Sequence, residues 1–226
     1  MDYVLLHGAL GAADQMAPLA ERLAARGRVH VVEFAGHGAT PGDGRPYAMA
    51  DFVAQVVAAL DARDVARATL VGYSMGGYVA LLLAAAHTAR AARVVTLGTK
   101  FRWDAATAER DARRLDAATI RAKVPRFADA LAARHADAGG WEAVLERTAA
   151  LLRGLGEHAP LTDDTLRAAT CPVRVMVGDR DATVTVEETA GAYRALPDGE
   201  LAVLPRTAHP IEGVNASAIA ALIGRP

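Results

Sequence analysis

Ser74 lies in Gly72-Tyr73-Ser74-Met75-Gly76-Gly77, where an apolar run of strand character ending at Tyr73 gives way at once to an Ala- and Leu-rich helical run. Turning a strand into a helix within one residue forces that residue into a strained backbone conformation. It also draws together the positions two before and two after, which is the reason for glycine at 72 and 76. Such an elbow presents the Ser74 hydroxyl at the sheet edge, while the Met75 N–H opens the helix and points where a negative oxygen could sit. The chain contains only two serines, Ser74 and Ser217, so a serine at the turn is not compositional background. A hydroxyl attacks a carbonyl well only when a histidine takes its proton, and a carboxylate must hold that imidazole in one tautomer. Two other places supply these groups. The apolar run from Val173 ends in Gly178-Asp179-Arg180-Asp181, leaving both aspartates open for the acid, and Thr207-Ala208-His209-Pro210 follows the last apolar run.

Bringing these three places together requires strands that run parallel and end at one edge of a sheet. Apolar runs of strand length alternate with helical patterns along the chain, as in a parallel sheet covered on both faces. Strands are expected at Val4–Leu6, Val29–Phe34, Ala68–Tyr73, Val94–Leu97, Val173–Val177 and Leu201–Leu204. Helices are expected between them: one capped by Asp14 with Met16, Leu19, Ala20 and Leu23 on its inner face, one lined by Phe52, Val53, Val56, Val57 and Leu60, then Val186–Leu196 and Ile211–Ile223. The Gly- and Pro-rich stretch 36–47 reads as loop. Residues 100–170 hold no strand-length apolar run. Their composition predicts helices over Asp104–Asp116, Thr119–His135 and Trp141–Arg153, broken at Pro125 and Gly139-Gly140. A parallel crossover needs only about a dozen residues, so this insertion reads as a lid over the carboxyl ends of the strands, where open sheets bind their ligands.

The bulk properties narrow the possibilities. With 226 residues, 52% of them hydrophobic, the chain suits one large core carrying an excursion. A net charge of −1 offers no basic field for nucleic acid or an anionic membrane, so the expected partner is a small-molecule substrate. The N-terminal apolar run ends at His7, too short for a signal peptide, and no run has the length of a membrane span, which together give a cytoplasmic expectation. The single cysteine, Cys171, reads as a small buried side chain. His7 and His37 are expected to brace their loops. His30, His87, His135 and His158 lack a partner at metal-ligand spacing and read as surface or insertion residues, so no metal and no cofactor are expected.

These motifs together make the sequence similar to the α/β-hydrolase fold superfamily over nearly its whole length. Leu6-His7-Gly8-Ala9-Leu10-Gly11 resembles its oxyanion loop, Gly36-His37-Gly38 its following turn, Gly72–Gly77 its nucleophile elbow, and Gly178-x-x-Asp181-x-x-Val184 with His209 its acid and base. The resemblance implies about six mostly parallel strands flanked by helices, without the two N-terminal strands many members carry. It implies a core of residues 1–99 and 171–226 with a helical cap at 100–170. It also implies Ser74 as nucleophile, His209 as general base, Asp181 rather than Asp179 as the orienting acid, and the N–H groups of Ala9 and Met75 as the oxyanion hole.

The function so implied is serine hydrolysis of a small ester, thioester or similar activated carbonyl through an acyl-enzyme. Tyr73, Phe101, Trp103, Phe127 and Trp141 are candidates to line the substrate pocket. Two alternatives keep the same fold. The Gly-Tyr-Ser-Met-Gly-Gly string is similar to the menaquinone-pathway lyase that eliminates pyruvate, although Tyr78 stands where that group carries an arginine for a substrate carboxylate. A small-ligand-binding protein with little turnover is the other.

Overall fold

The computed structural model describes residues 1–224; residues 225–226, the end of the second core segment expected above, lie outside the described residues. Six strands form one sheet: β1 (Asp2–Leu6), β2 (Arg28–Val32), β3 (Ala68–Tyr73), β4 (Ala91–Leu97), β5 (Val173–Gly178) and β6 (Gly199–Leu204). Their order is β2-β1-β3-β4-β5-β6, and all five pairings are parallel. Every strand therefore ends at the same edge.

Alternation along the strands builds two cores. Tyr3, Leu5, Val71, Tyr73, Val95, Leu97 and Met176 face α1 (Ala17–Ala24) and α10 (Ala216–Ile223), whose Leu19, Leu23, Ile219 and Ile223 complete that side. Val4, Leu6, Leu70, Val94, Val173 and Val175 face the other way. They pack against α2 (Met49–Asp61), α3 (Met75–Ala86) and α9 (Val186–Ala195). Because α3 is buried on nearly all sides, its apolar character is continuous rather than striped. Cys171 is buried within this second core, and burial pushes its thiol up.

Two local expectations differ. Asp14 does not cap α1. It lies in a 3-10 turn, Ala13–Met16, and its carboxylate accepts from the Gln15 N–H, while α1 starts later with Pro18 in its first turn. Likewise Ile211–Gly213 is a separate 3-10 turn, because Asn215 caps α10 by accepting from the N–H groups of Ser217 and Ala218 and so sets a later start.

Between β4 and β5 the chain is helical: α4 (Ala105–Arg113), α5 (Ala117–Lys123), α6 (Pro125–Arg134), α7 (Trp141–Glu157) and α8 (Asp163–Ala168). Asp104, Asp116 and Thr162 cap α4, α5 and α8 through their side-chain oxygens. Pro125 separates α5 from α6, as its missing N–H and fixed φ require. Ile120, Ala128, Leu131, Trp141 and Leu145 form a small core of their own, against which Leu10 of the first loop packs. Among the described residues no helix is long and apolar enough to cross a membrane.

Candidate active site

The carboxyl edge of the sheet gathers the ends of β1, β3, β4, β5 and β6. At the end of β3, Ser74 has φ 51° and ψ −116°, a left-handed conformation for a residue with a side chain. Bonds on both sides hold it there. The Ser74 N–H donates to Leu97 O at 2.8 Å, and Ser74 O accepts from the N–H groups of Gly77 and Tyr78 and from the Thr99 hydroxyl at 3.0, 3.3 and 3.0 Å. The elbow closes so tightly that a Cβ on Gly72 would strike the backbone of Gly76 and Gly77, and one on Gly76 would strike the carbonyl oxygens of Leu6 and His7. Met75 is the first residue of α3, so its N–H has no acceptor within the helix.

The loops after β5 and β6 meet beside this turn. His209 Nδ1 lies 2.7 Å from Asp181 Oδ2. The other oxygen of Asp181 accepts from the N–H groups of Thr183 and Val184, each at 2.8 Å. Burial would raise this carboxyl, but the bond from His209 and the two backbone donors hold it below the usual carboxylate range. A carboxylate only accepts, so Nδ1 carries the proton of the neutral ring and Nε2 keeps a free lone pair. Asp179 points elsewhere, accepting from the Thr207 N–H at 3.2 Å. The Tyr73 hydroxyl donates to His209 O at 3.1 Å, and burial pushes its pKa up, so it remains a neutral donor.

The loop after β1 is held by two buried histidines. His7 Nε2 accepts from the Phe34 N–H at 3.1 Å, so its proton sits on Nδ1 and is donated to Gly8 O at 2.8 Å. Complete burial lowers the pKa of His7 to about 4. His135, which composition places at the surface or in the insertion, is wholly buried just beyond α6. Its Nδ1 accepts from the Gly38 N–H and its Nε2–H donates to Leu10 O, both at 3.0 Å. It ties the insertion to both loops of the core. Leu10 itself has φ 59°, so the strained residue beside Ala9 is also a tethered one. Glu33 adds a third brace, accepting from the N–H groups of Ala13, Ala39 and Thr40. His37 stacks on Tyr47 and bonds Ala35 O through Nδ1, and burial lowers its pKa well below the ordinary histidine range.

Ser74, His209, Ala9 and Met75 line one cavity of about 290 Å³ between the sheet edge and the insertion. Tyr73 and Trp103 line it too. Phe101, Phe127 and Trp141 do not. Phe101 is packed in the core beneath, Trp141 belongs to the insertion's own core, and Phe127 is 43% exposed. Their aromatic character marked them as candidates, but composition does not say which core, if any, a ring meets. Tyr78 reaches the cavity wall, but its hydroxyl accepts from the Leu161 N–H at 3.0 Å, and burial pushes its pKa up to about 12. The same cavity is lined by Lys100, Asp111, Arg114 and Thr183, which no sequence motif marks. Among the described residues no three His, Cys, Asp or Glu side chains group as a metal site requires.

Comparison with known proteins agrees with this architecture. The model of the Alpha/beta hydrolase family matches residues 3–222. A pimeloyl-[acyl-carrier protein] methyl ester esterase from Chromobacterium violaceum is 30% identical over 92% of this chain and 87% of its own length. One of the same description from Xanthomonas campestris is 43% identical over a shorter stretch, 36% of this chain and 30% of its own. Among solved structures, a thermophilic esterase from Thermogutta terrifontis superposes with a TM-score of 0.79 at 24% identity, covering 99% of this chain and 88% of that one.

Proposed function

The chain belongs to the alpha/beta hydrolase family and is a hydrolase of esterase type, and from that premise we propose that it cleaves a small ester, thioester or similar activated carbonyl through an acyl-enzyme on Ser74. The observation that carries this reading is the 2.7 Å bond between His209 and Asp181, with a strained Ser74 lining the same cavity. In the first half-reaction Ser74 Oγ bonds to the carbonyl carbon as its proton passes to His209 Nε2. The resulting oxyanion sits against the N–H groups of Ala9 and Met75, and it collapses as the alcohol or thiol leaves with the proton from His209. Water then attacks the acyl-enzyme with His209 as base, releasing the acid and restoring Ser74. Asp181 keeps the ring in the required tautomer and offsets the charge of the imidazolium. Losing one donor of such an oxyanion hole costs about 3 kcal/mol of transition-state stabilisation.

In this reading residues 1–99 and 171–226 are the catalytic core and residues 100–170 are the cap that selects the substrate. The C. violaceum relative contributes the ester bond and nothing finer, since its described substrate is its own. The bond of Tyr78 to Leu161 N–H supports hydrolysis over pyruvate elimination, because the position that would hold a carboxylate carries a buried, neutral phenol. A base held in one tautomer supports turnover over simple binding. One buried thiol requires no oxidising compartment, in keeping with the cytoplasm. Aryl esters of graded acyl length, assayed with the wild type and Ser74→Ala, test the proposal. We expect the variant to lose at least 1,000-fold in kcat on every ester that the wild type turns over, an effect of the order seen when a triad member is removed. Equal turnover by both proteins would remove Ser74 from the mechanism.

A further inference from the structure

Lys100 lies three residues beyond the end of β4 and is largely buried, its side chain 11% exposed. An ammonium has three donors to place. Here it finds Thr183 O at 3.4 Å and Asp111 Oδ2 at 3.8 Å, both longer than a well-formed charge-assisted bond. Trp103 offers its ring face at 5.3 Å. Asp111, the one carboxylate within 4.0 Å of this ammonium among the described residues, is oversubscribed, because it also faces Arg110 at 3.2 Å and Arg114 at 3.5 Å. Three cations thus share one anion. Lys100, Asp111 and Arg114 line the same cavity as Ser74 and His209, whose other walls include the apolar side chains of Leu115, Leu151 and Leu155. A buried, under-bonded ammonium with surplus positive charge is costly unless an anion completes it.

We propose that this end of the cavity receives a carboxylate of the substrate, so that the preferred substrate is a monoester of a short dicarboxylic acid. The proposal rests on the hydrolase reading above. Lys100 supplies the buried charge and Arg114, 63% exposed at the mouth, a planar donor pair suited to a carboxylate. A space of about 290 Å³ that holds both Ser74 and Lys100 suits a small acyl chain carrying the scissile carbonyl at one end and this anion at the other.

The test compares monoethyl glutarate with ethyl pentanoate, which has the same acyl length and no charge, by titrating released acid. The wild type should favour the charged ester by about tenfold or more in kcat/KM, the size of one charge-assisted hydrogen bond. The preference should lie mainly in KM and shrink as salt rises. Lys100→Met should bring the ratio of the two esters close to one, and Arg114→Gln should lower it severalfold. A ratio near one in the wild type, or a ratio unchanged in Lys100→Met, overturns the proposal and leaves Lys100 as a tie between β4 and α4. Glutarate itself provides a readout independent of turnover: it should raise the Tm of the wild type and of Ser74→Ala, and not that of Lys100→Met. Stabilisation by glutarate without hydrolysis of either ester would uphold the anion site and defeat the hydrolase reading. Hydrolysis of ethyl pentanoate with no stabilisation by glutarate would do the reverse.

Discussion

A neutral imidazole can take a proton only at the nitrogen its neighbour leaves free, and for His209 that neighbour is Asp181. Replacing Asp181 by Asn puts an amide against Nδ1, where the NH₂ can donate and so favour the tautomer with its proton on Nε2, which cannot act as base. We expect Asp181→Asn to lower kcat on an aryl ester by on the order of 1,000- to 10,000-fold, with the circular dichroism of the fold unchanged. Asp179→Asn, by contrast, keeps an amide oxygen that can still accept from the Thr207 N–H and should retain kcat within severalfold; a larger loss in Asp179→Asn than in Asp181→Asn would exchange their roles. Ser74, His209 and the two aspartates stand out in the sequence because each follows an apolar run and precedes a change of element. Lys100, Arg114 and His135 do not. A lone lysine, arginine or histidine on a helical stretch has the composition of a solvated face, and only the meeting of separate loops turns His135 into a brace and Lys100 into part of a cavity.

What places these groups is the parallel sheet, since five strand ends on one edge need no further device to converge. The elbow is its tightest joint. Gly76 lets α3 pass against the backbone of β1, where an added methyl would meet the carbonyl oxygens of Leu6 and His7, atoms that cannot rotate away. Gly76→Ala should therefore cost about 3 kcal/mol and lower Tm by roughly 10 °C, a change that thermal unfolding reads directly; an unaltered Tm would mean that the contact relaxes freely. The order of strands and helices was legible because continuous apolar runs of strand length and 3.6-residue patterns carry it. The start of α10 was not, since the Ile211–Gly213 turn shares the helix's composition and only the cap at Asn215 marks the boundary. For residues 100–170, helical character was legible while the packing of each aromatic was not. Phe127 and Trp141 both lie on helices, but α7 turns Trp141 into the insertion's core and leaves Phe127 on α6 toward solvent.

Across the whole molecule, three buried histidines make stability depend on acid. His7 is neutral in the fold, its pKa lowered by burial from 6.5 to about 4, so unfolding below pH 6.5 is accompanied by proton uptake. Its contribution is fully present above pH 6.5 and is lost as pH falls through 4, an effect on the order of 3 kcal/mol. Burial lowers His37 and His135 as well, in the same direction. The urea midpoint should accordingly fall steeply between pH 6.5 and 4, and less steeply in His7→Gln, whereas a flat profile would mean that His7 is charged in the folded protein. These histidines brace the loops at the sheet edge, so the fold's acid sensitivity and its site share the same residues. Whether Ser74 is the nucleophile is read from intact-protein mass spectrometry after treatment with a fluorophosphonate, which bonds covalently to an activated serine. A single adduct is expected, mapped to the peptide carrying Ser74 and absent from Ser74→Ala. Folded protein that hydrolyses an ester while Ser74 stays unlabelled, or an adduct that persists in Ser74→Ala, would contradict it.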